Sequence, residues 1–490
     1  MKNPANTSRR PLLLGYALGE AANSLVTNGL ITFGLLCYTN ALGLSPARAG
    51  AALAVSILVE AFTQPLVGHL SDHTRSRWGR RHPYLIAGGL LMATGFYFAW
   101  AIPPLFRHSS NALFGYLVGL HVVLRLSQNL FYIPYLALGY EMTRDDRQQA
   151  ELQSFRQVFN MAGNLAGPAL AWTIFFHDHG SQRSAGILDN YIHMGAVFSG
   201  AMVIFILVMV VSTWRGGGAA RVSAIPADGG WRRNFLGDLR AVLWGPNVRP
   251  VLIFLFVFTM ATVVMGSLQQ YFYEDCLHIS GWRKTVAHGS TMVSFAIGAL
   301  LAPKLMERLD HRRSLWVGGW VSIGCNLLQA ILFLPGLVPE RVLVAFGPVE
   351  VSVSLATFVP LHAGFWFGVG IVFPVVNAMM ADVAEMHRLA AGVNRDGSHA
   401  AAFNLTMQLA VSLGLMLAGW LVTGVGFSPG SGRQSSETIW LLKAAMFLTA
   451  PAMILISLLT IHPYRLTRKL LERSRGETGG AGRSAASGEN

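Results

Sequence analysis

GHLSDHTRSRWGRRHP, residues Gly68 to Pro83, is a short arginine-rich segment enclosed by two long apolar runs. The run before it covers 46–70, and the run after it covers 84–104. Each run is close to the length of about 20 apolar residues that a helix needs to cross a bilayer. The segment therefore predicts two membrane helices joined by a short basic loop at the membrane surface.

The same alternation of apolar runs and short polar loops extends over most of the 490 residues. Only 12% of the residues are charged, whereas a soluble protein is about a quarter charged. We therefore predict an all-α membrane protein rather than a soluble protein with a very large core. The predicted spans are twelve, at 13–38, 46–70, 84–104, 113–138, 156–176, 191–213, 249–274, 285–308, 314–335, 353–384, 398–424 and 437–462.

The basic residues are concentrated at the N-terminus, in alternate loops and in the tail after the last span. By the positive-inside rule, this pattern predicts a multi-pass protein of the cytoplasmic (inner) membrane with both termini in the cytoplasm. Such an orientation requires an even number of spans, which twelve satisfies. The net charge of +13 follows from these loops, and no motif indicates a nucleic-acid partner.

The longest polar stretch between spans suggests the division of the chain into domains. We predict an N-terminal six-helix bundle over 1–213, a cytoplasmic linker over 214–248 and a C-terminal six-helix bundle over 249–463. The Gly/Ala/Ser-rich tail over 464–490 is predicted to be disordered. Two alternatives stay open for 336–352, which can extend the tenth helix or form a short interfacial segment.

The sequence gives no indication of a metal, a cofactor or an enzyme. The three cysteines are far apart, and the histidines lack metal-ligand spacing. There is no Walker A sequence for ATP, and no Ser-His-Asp or paired-carboxylate arrangement. We therefore expect a non-enzymatic protein without a cofactor.

Several motifs, in their order along the chain, resemble those of one transporter family. Gly68–Pro83 resembles the loop 2–3 signature of the major facilitator superfamily, and its Thr-Arg-Ser-Arg-Trp resembles the glycoside–pentoside–hexuronide:cation symporters, to which the melibiose carrier belongs. Pro134–Asp145 is similar to that family's helix 4–5 region. Ala381–Glu385, followed by Arg395–Gly397, is similar to its helix 10–11 region. The likeness covers most of 12–424.

This resemblance implies two six-helix bundles around a central cavity that opens alternately to each side of the membrane. It also implies symport of a sugar or glycoside with a cation, without any covalent chemistry. A transporter of lipids or other amphiphiles and an uncoupled facilitator remain as alternatives. The implied partners are a small-molecule solute and membrane lipid, and we expect a monomer.

Three positions align with the family's cation site. Glu60 keeps an acid inside the second span, but the family's second acid is Gln64 here, and a cation-linked threonine is Asn129. One carboxylate among neutral oxygens suits H⁺ better than Na⁺. The open alternatives are no coupling and a purely structural ion pair between Glu60 and a basic residue such as Arg125.

Polar residues inside the spans are candidates for solute binding because amides and phenols can both donate and accept hydrogen bonds to hydroxyl groups. Arg125 requires a partner, for which Glu60 and Glu20 are candidates, and a structural ion pair is an equal alternative. Arg156 matches a sugar-binding arginine of the family, with a membrane-surface anchor as its alternative. Gln408 replaces the family's helix-11 lysine. The predicted solute-binding residues are Glu20, Arg125, Gln128, Tyr132, Arg156, Gln269, Tyr273 and Phe373.

The loop signature and the helix 10–11 region supply candidates for gating. The small and charged residues in them suit a network between helices that move relative to one another, although a basic loop that only fixes topology is the alternative. The predicted gating residues are Gly68, Asp72, Arg75, Gly79, Arg80, Arg81, Asp382 and Glu385.

Overall fold

The computed structural model describes residues 10–74, 76–142, 146–176, 184–216, 242–279, 281–339, 342–346, 349–391, 396–430 and 434–464. Long helices dominate these residues. In the N-terminal part of the chain they are α1 (Arg10–Gly29), α2 (Pro46–His73), α3 (His82–Trp100), α4 (Ser110–Met142), α5 (Asp146–Leu170) and α6 (Leu188–Gly216).

The C-terminal part continues with α7 (Val248–Tyr271) and a helical stretch over Trp282–Phe333. That stretch is broken at Asp310, whose φ of 69° and ψ of 162° are not helical. We call the segment before Asp310 α8 and the segment after it α9. The remaining helices are α10 (Val353–Ala391), α11 (Asp396–Gly424) and α12 (Ser436–Thr460). The described residues thus contain the twelve long helical segments that the apolar runs predict.

Shorter helical turns extend the long helices. Four π-helical turns lie at Leu30–Gly34, Cys37–Ala41, Ala171–Phe175 and Phe272–Cys276, and 3₁₀ turns lie at Pro104–Phe106 and Ser184–Gly186. A helix satisfies its own backbone hydrogen bonds, which a bilayer core requires because no water is present there.

Three helices are less apolar than the others. Within the described residues, eight helical stretches are long and apolar enough to cross a membrane by length and composition, with Trp282–Phe333 taken as one stretch. The helices that fall short are α1, α4 and α5. Their sequences include Glu20, Arg125 and Arg156 among other polar residues, so the same side chains that lower their hydropathy are the candidates for function.

The structure changes one predicted helix bound and excludes one of the two alternatives for 336–352. Helix α5 begins at Asp146 rather than at 156, because a polar first part precedes its apolar part. The segment before α10 does not extend that helix, since it forms two antiparallel strands, β1 (Leu343–Phe346) and β2 (Val349–Ser352), in which Leu343 pairs with Ser352. Valine-rich sequence favours a strand because β-branched side chains pack well on a pleated surface.

The chain forms two compact units. The first combines Met1–Ile225 with Gly266–His288 and Leu415–Leu442, and the second combines Pro226–Met265, Gly289–Gly414 and Lys443–Asn490. The predicted bundles and linker stay predictions, and most of the linker (217–241) and the tail from 465 lie outside the described residues.

Within the first unit, α4 packs against α2 and α3, and α1 packs against α5 and α6. One glycine shows how close this packing is. A Cβ atom on Gly88 of α3 would lie 2.6 Å from the backbone nitrogen of Phe131 in α4. A side chain cannot be accommodated there without moving the backbone, so Gly88 permits the close approach of these two helices.

Candidate transport site

An ion pair joins the buried Glu20 of α1 to the partly buried Arg156 of α5. The Nε and Nη2 atoms of Arg156 lie 3.0 and 2.8 Å from Oε2 of Glu20. The other carboxylate oxygen of Glu20 accepts hydrogen bonds from Tyr132 Oη and Asn160 Nδ2, at 3.3 and 3.2 Å. The Nη1 atom of Arg156 donates to Gln153 at 2.8 Å. Both charged groups are therefore paired and hydrogen-bonded, as buried charges require.

Aromatic rings of α1 and α4 enclose this pair. The guanidinium of Arg156 lies 5.4 Å from the ring centre of Tyr135, within the range of a cation–π contact. Tyr135 stacks on Tyr16 with 4.4 Å between ring centres. The Tyr16 hydroxyl donates to the Tyr135 carbonyl oxygen at 2.7 Å. These contacts hold the rings in fixed positions beside the ion pair.

A second ion pair joins the partly buried Glu60 of α2 to the buried Arg125 of α4. The Nη1 atom of Arg125 lies 3.2 Å from Oε2 of Glu60, and the side chains of Arg125 and Glu60 are 6% and 15% exposed. The same Nη1 atom donates to Gln128 Oε1 at 3.0 Å. The Nε atom of Arg125 is buried and has no hydrogen-bond partner within the described part of the chain. Fewer of the donor and acceptor atoms of this pair are hydrogen-bonded than in the pair of Glu20 and Arg156.

Amide side chains connect the second pair to its surroundings. The Nε2 atom of Gln128 donates to Asn23 Oδ1 at 2.7 Å and to Thr27 Oγ1 at 2.9 Å. The Nδ2 atom of Asn129 donates to the Glu60 carbonyl oxygen at 2.9 Å and to Thr63 Oγ1 at 2.8 Å. Asn129 thus holds the backbone of α2 at the position that carries the Glu60 carboxylate.

Five of the eight predicted solute-binding residues fall in this one region. Glu20 and Asn23 are a turn apart on α1, and Gln128 and Tyr132 are a turn apart on α4, so the two ion pairs form a continuous polar stripe. Glu60 and Asn129 belong to the stripe, and Gln64 lies one turn after Glu60 on α2. The sequence analysis did not predict Asn23, Thr63 and Asn160. Their polar side chains, on helices that carry predicted site residues, could have indicated them.

The remaining predicted solute-binding residues lie elsewhere. In the first unit, the Nε2 atom of Gln269 donates to Tyr273 Oη at 2.6 Å, and both side chains are buried. In the second unit, Phe373 packs against Phe258 and Phe295, with ring centres 5.7 and 6.2 Å away. A role for these residues in solute binding stays a prediction.

A buried acid–base pair near Gln269 was not predicted. Lys284 of α8 is hydrogen-bonded to the carboxylate of Glu274, which follows α7 in the π-helical turn. Glu274 is the last residue of the predicted span 249–274, and Lys284 directly precedes the predicted span 285–308. The π-helical turn instead continues the helix past Tyr271, so Glu274 is buried.

The arginine-rich loop forms a network with α4. Arg80 and Arg81 both donate to Oε1 of Glu141, at 2.5 Å for Arg80 Nη2 and 3.0 Å for Arg81 Nη2. Arg81 also donates to Ser71 Oγ at 2.7 Å. Glu141 was part of the quoted helix 4–5 motif but was not predicted as a gating residue. Its position could have indicated this role, because it is a carboxylate at the end of a helix that faces a basic loop.

The structure describes only some of the other predicted gating residues of this loop. Gly79 has a φ of +85°, which favours glycine and explains the turn before α3. Gly68 lies in α2. Arg75 and the side chain of Asp72 lie outside the described residues.

In the second unit, Asp382 of α10 lies beside the break between α8 and α9. Its Oδ2 atom is 3.6 Å from Nε2 of His311. Burial raises the pKa of Tyr464, which follows α12, and the carboxylates of Asp382 and Asp310 add to that rise. Glu385 lines a cleft of about 560 Å³ together with His399, Phe403 and Asn404.

The described residues contain no group of three His, Cys, Asp or Glu side chains that could hold a metal ion. What the polar stripe does supply is two buried carboxylate–arginine pairs surrounded by neutral amides and phenols. Such an arrangement can bind hydroxyl groups and can exchange a proton. It holds no nucleophile with an adjacent base.

Comparisons with known proteins cover nearly the whole chain. The sequence profile of a family described as MFS/sugar transport protein matches residues 15–468. The inner membrane symporter YicJ of Escherichia coli (strain K12) is 25% identical over 459 residues, which are 93% of this chain and 91% of the relative. The putative glycoside/cation symporter YagG of the same strain is 23% identical over 465 residues, 94% and 92% of the two chains.

A crystal structure of a mutant of the nucleoside transporter NupG has a similar fold. The TM-score is 0.60 at 15% sequence identity, and the likeness covers 91% of this chain and all of that one. The predicted major facilitator fold of twelve membrane helices is thereby confirmed.

Proposed function

The chain belongs to the MFS/sugar transport protein family, and on that premise we propose that it carries a sugar or glycoside across the inner membrane by symport with H⁺. It is a membrane transporter and not an enzyme. The symporters that it resembles support cation coupling. The choice of a proton rather than Na⁺ is supported by the residues of the polar stripe.

The ion pair of Glu60 and Arg125 is the observation that carries the proposal. Glu60 lies in the stretch of α2 that is long and apolar enough to span the membrane. An ionised carboxylate is costly there, so its presence indicates a functional role. Gln64, one turn later, cannot ionise. One carboxylate therefore faces neutral oxygens and a single arginine. Such a site can bind one proton, whereas Na⁺ would need several more oxygen ligands.

The polar stripe also supports the choice of solute. Glu20, Gln128, Tyr132 and Arg156 lie on three neighbouring helices within hydrogen-bond reach of one another. Together they can donate to and accept from several hydroxyl groups of a sugar ring. Roles of Gln269, Tyr273 and Phe373 in solute binding are proposed separately from this stripe. No second solute class is favoured by a specific contact.

The arginine-rich network is proposed as the gate. The proposed gate requires that α2, α3 and α4 change their contacts at this end of the bundle during alternating access. Arg80, Arg81 and Glu141 join these helices there, so their contacts stabilise one of the two states. Asp382 with His311, and Glu385, are proposed to serve the same purpose in the second unit.

Both termini are proposed to lie in the cytoplasm, with the chain working as a monomer in contact with lipid. Reporter fusions at the C-terminus and in the loop over 181–189 test this topology. We expect the C-terminal reporter to be active only as a cytoplasmic fusion and the loop reporter only as an external one. A C-terminus outside the cell would contradict the twelve-span topology.

Uptake into membrane vesicles tests the coupling. Vesicles that contain the protein are given labelled glycosides under an imposed pH gradient, a Na⁺ gradient or no gradient. We expect accumulation above the external concentration with the pH gradient alone. Accumulation only with Na⁺ would contradict proton coupling, and equilibration without accumulation in all three conditions would indicate an uncoupled facilitator.

A further inference from the structure

Two tryptophans meet at the surface of the first unit. Trp78 belongs to the arginine-rich loop, and Trp214 lies near the end of α6. Their ring centres are 6.3 Å apart, and the residues are 45% and 46% exposed. Tryptophan is enriched where a membrane meets water, because its ring is apolar and its N–H group is polar. The pair therefore indicates contact with lipid at the membrane surface.

The ends of two apolar helices place this pair at the level of the lipid headgroups. The stretch of α6 that can cross a membrane ends at Trp214, and the stretch of α3 that can do so begins at His82. The ring centres of these two residues are 5.3 Å apart, and Nε2 of His82 lies 3.2 Å from Thr213 Oγ1. The end of one span thus lies beside the start of another, and the polar headgroup region of a bilayer begins at that level.

The surface beside the tryptophans carries an excess of positive charge. Arg77 is exposed, and its guanidinium carbon lies 5.6 Å from the ring centre of Trp78. Within the described residues, no carboxylate contacts Arg77. Arg80 and Arg81 both bind the single carboxylate of Glu141. Among the described side chains here, three arginines therefore face one acid, which favours an anionic ligand.

We propose that Arg77, Trp78 and Trp214 bind the headgroup of an anionic phospholipid, which carries a phosphodiester and no ammonium group. The guanidinium donates to the phosphate oxygens, a pairing that suits arginine. The apolar faces of the two indole rings lie against the glycerol backbone and the first CH₂ groups of the lipid, and the indole N–H groups donate to its ester oxygens. This site involves neither the transported solute nor the coupling ion.

The same surface suits two other ligands less well. A zwitterionic lipid such as phosphatidylethanolamine needs an acceptor for its ammonium group. Glu141, the carboxylate described at this surface, already accepts from Arg80 and Arg81. A free phosphate ion would pair with Arg77 but would leave both tryptophan rings in water. Only an anionic lipid matches the charge and the exposed apolar area together.

Hydrogen bonds of the backbone and of His82 hold the two tryptophans in place. The backbone nitrogen of Trp78 donates to Ser76 Oγ at 3.1 Å, and that of Gly79 donates to the Ser76 carbonyl oxygen at 3.0 Å. These bonds close a tight turn that presents the Trp78 ring. His82 fixes the other ring through its edge contact with Trp214. A lipid bound across both rings joins the loop to α6, so it should also raise thermal stability.

Lipids that differ only in their headgroup test the proposal. Native mass spectrometry of the full chain in a non-ionic detergent measures the binding of added phosphatidylglycerol, phosphatidylethanolamine and phosphatidylcholine with identical acyl chains. We expect phosphatidylglycerol to bind about fivefold more tightly than either of the others, the factor that one basic residue supplies at an anionic membrane surface. The melting temperature of the protein should rise most with phosphatidylglycerol.

Variants assign the effect to particular side chains. Arg77→Gln should remove the preference for phosphatidylglycerol, and Arg77→Lys, which keeps the charge, should retain part of it. The double variant Trp78→Ala/Trp214→Ala should weaken the binding of all three lipids. Arg249→Gln is the matched control, because Arg249 also lies over an exposed tryptophan, Trp244, with 5.8 Å from its guanidinium carbon to the ring centre. It should leave the preference unchanged.

Three results would overturn the proposal. The first is equal binding of the three lipids or tighter binding of phosphatidylethanolamine. The second is a preference for phosphatidylglycerol that survives in Arg77→Gln, because another residue would then bind the phosphate. The third is displacement of the lipid by inorganic phosphate at a similar concentration, which would indicate a site for free anions. None of these measurements involves a sugar, so the proposed symport stands or fails separately.

Discussion

The ion pair of Glu20 with Arg156 and the ion pair of Glu60 with Arg125 lie in one polar stripe, but they differ in how completely they are hydrogen-bonded. Arg156 uses its Nε and both Nη atoms, and each oxygen of Glu20 is bonded. Arg125 reaches Glu60 through one nitrogen at 3.2 Å, and its Nε atom has no partner among the residues that the structure describes. Glu60 is also more exposed than Glu20, at 15% against 5%.

This difference indicates different tasks for two pairs of the same chemistry. A fully hydrogen-bonded pair loses several contacts when it separates, so it suits a connection between α1 and α5 that stays closed while hydroxyl groups of the solute bind at its edge. An unsaturated pair loses less and can gain an acceptor, so it suits a change of partner during transport. Changes at the first pair should therefore affect folding most, and changes at the second should affect coupling most.

The largest effect is expected from breaking the saturated pair. Glu20→Gln or Arg156→Gln leaves one buried charge without a partner, which should lower the free energy of unfolding by about 3–5 kcal/mol. The double variant Glu20→Gln/Arg156→Gln should recover much of that loss, since no charge then remains unpaired. Denaturation of the purified variants measures both effects. Equal stability of the single and double variants would show that the charges are not coupled.

Glu60→Gln should change coupling more than stability. The amide imitates the protonated acid, so the variant should still exchange solute across the membrane. It should lose accumulation driven by a pH gradient, with the internal concentration rising only to the external one. Counterflow and active uptake in the same vesicles separate these properties.

Two results at Glu60 would change the comparison. Full accumulation in Glu60→Gln would remove Glu60 from the coupling mechanism. Loss of folded protein comparable to that of Glu20→Gln would mean that the pair with Arg125 is structural, and that incomplete hydrogen bonding does not distinguish the two pairs.

A smaller effect is expected at the partly exposed network of the arginine-rich loop. Glu141→Gln removes the acceptor shared by Arg80 and Arg81, at a cost of about 1–2 kcal/mol, because water reaches Arg80 and Glu141 and the buried Arg81 keeps its bond to Ser71. If these contacts stabilise one state of the cycle, the transport rate should fall several-fold while solute binding is kept. Asp72→Asn should act in the same direction. Unchanged rates in both variants would indicate a loop that only fixes topology.

The smallest effect is expected from backbone strain in the same loop. Gly79 has a φ of +85°, and an alanine there should cost about 1–2 kcal/mol at most. Gly79→Ala should lower thermal stability slightly and leave proton coupling intact. Measured beside Glu141→Gln, it shows how much of a change in transport rate comes from loop conformation alone. A loss of coupling in Gly79→Ala would contradict the separation of the loop from the coupling pair.

Local sequence was sufficient for most of the helices but not for their exceptions. The apolar runs predicted helices close to the observed bounds, and the family motifs predicted the twelve-helix fold. The strands β1 and β2 and the buried position of Glu274 were missed. Both depend on backbone geometry, a hairpin and a π-helical turn, that hydropathy does not report.

The sequence by itself determined which segments cross the membrane and which polar residues lie inside them. A bilayer core tolerates only long apolar helices, so hydropathy and the positions of arginine carry that information locally. The sequence left open whether Arg125 pairs with Glu60 or Glu20. It also did not identify Glu141 as the acceptor of Arg80 and Arg81. Only the tertiary structure decided these pairings, because a hydrogen bond between helices depends on which faces meet and at what distance, and residues far apart in the chain set both.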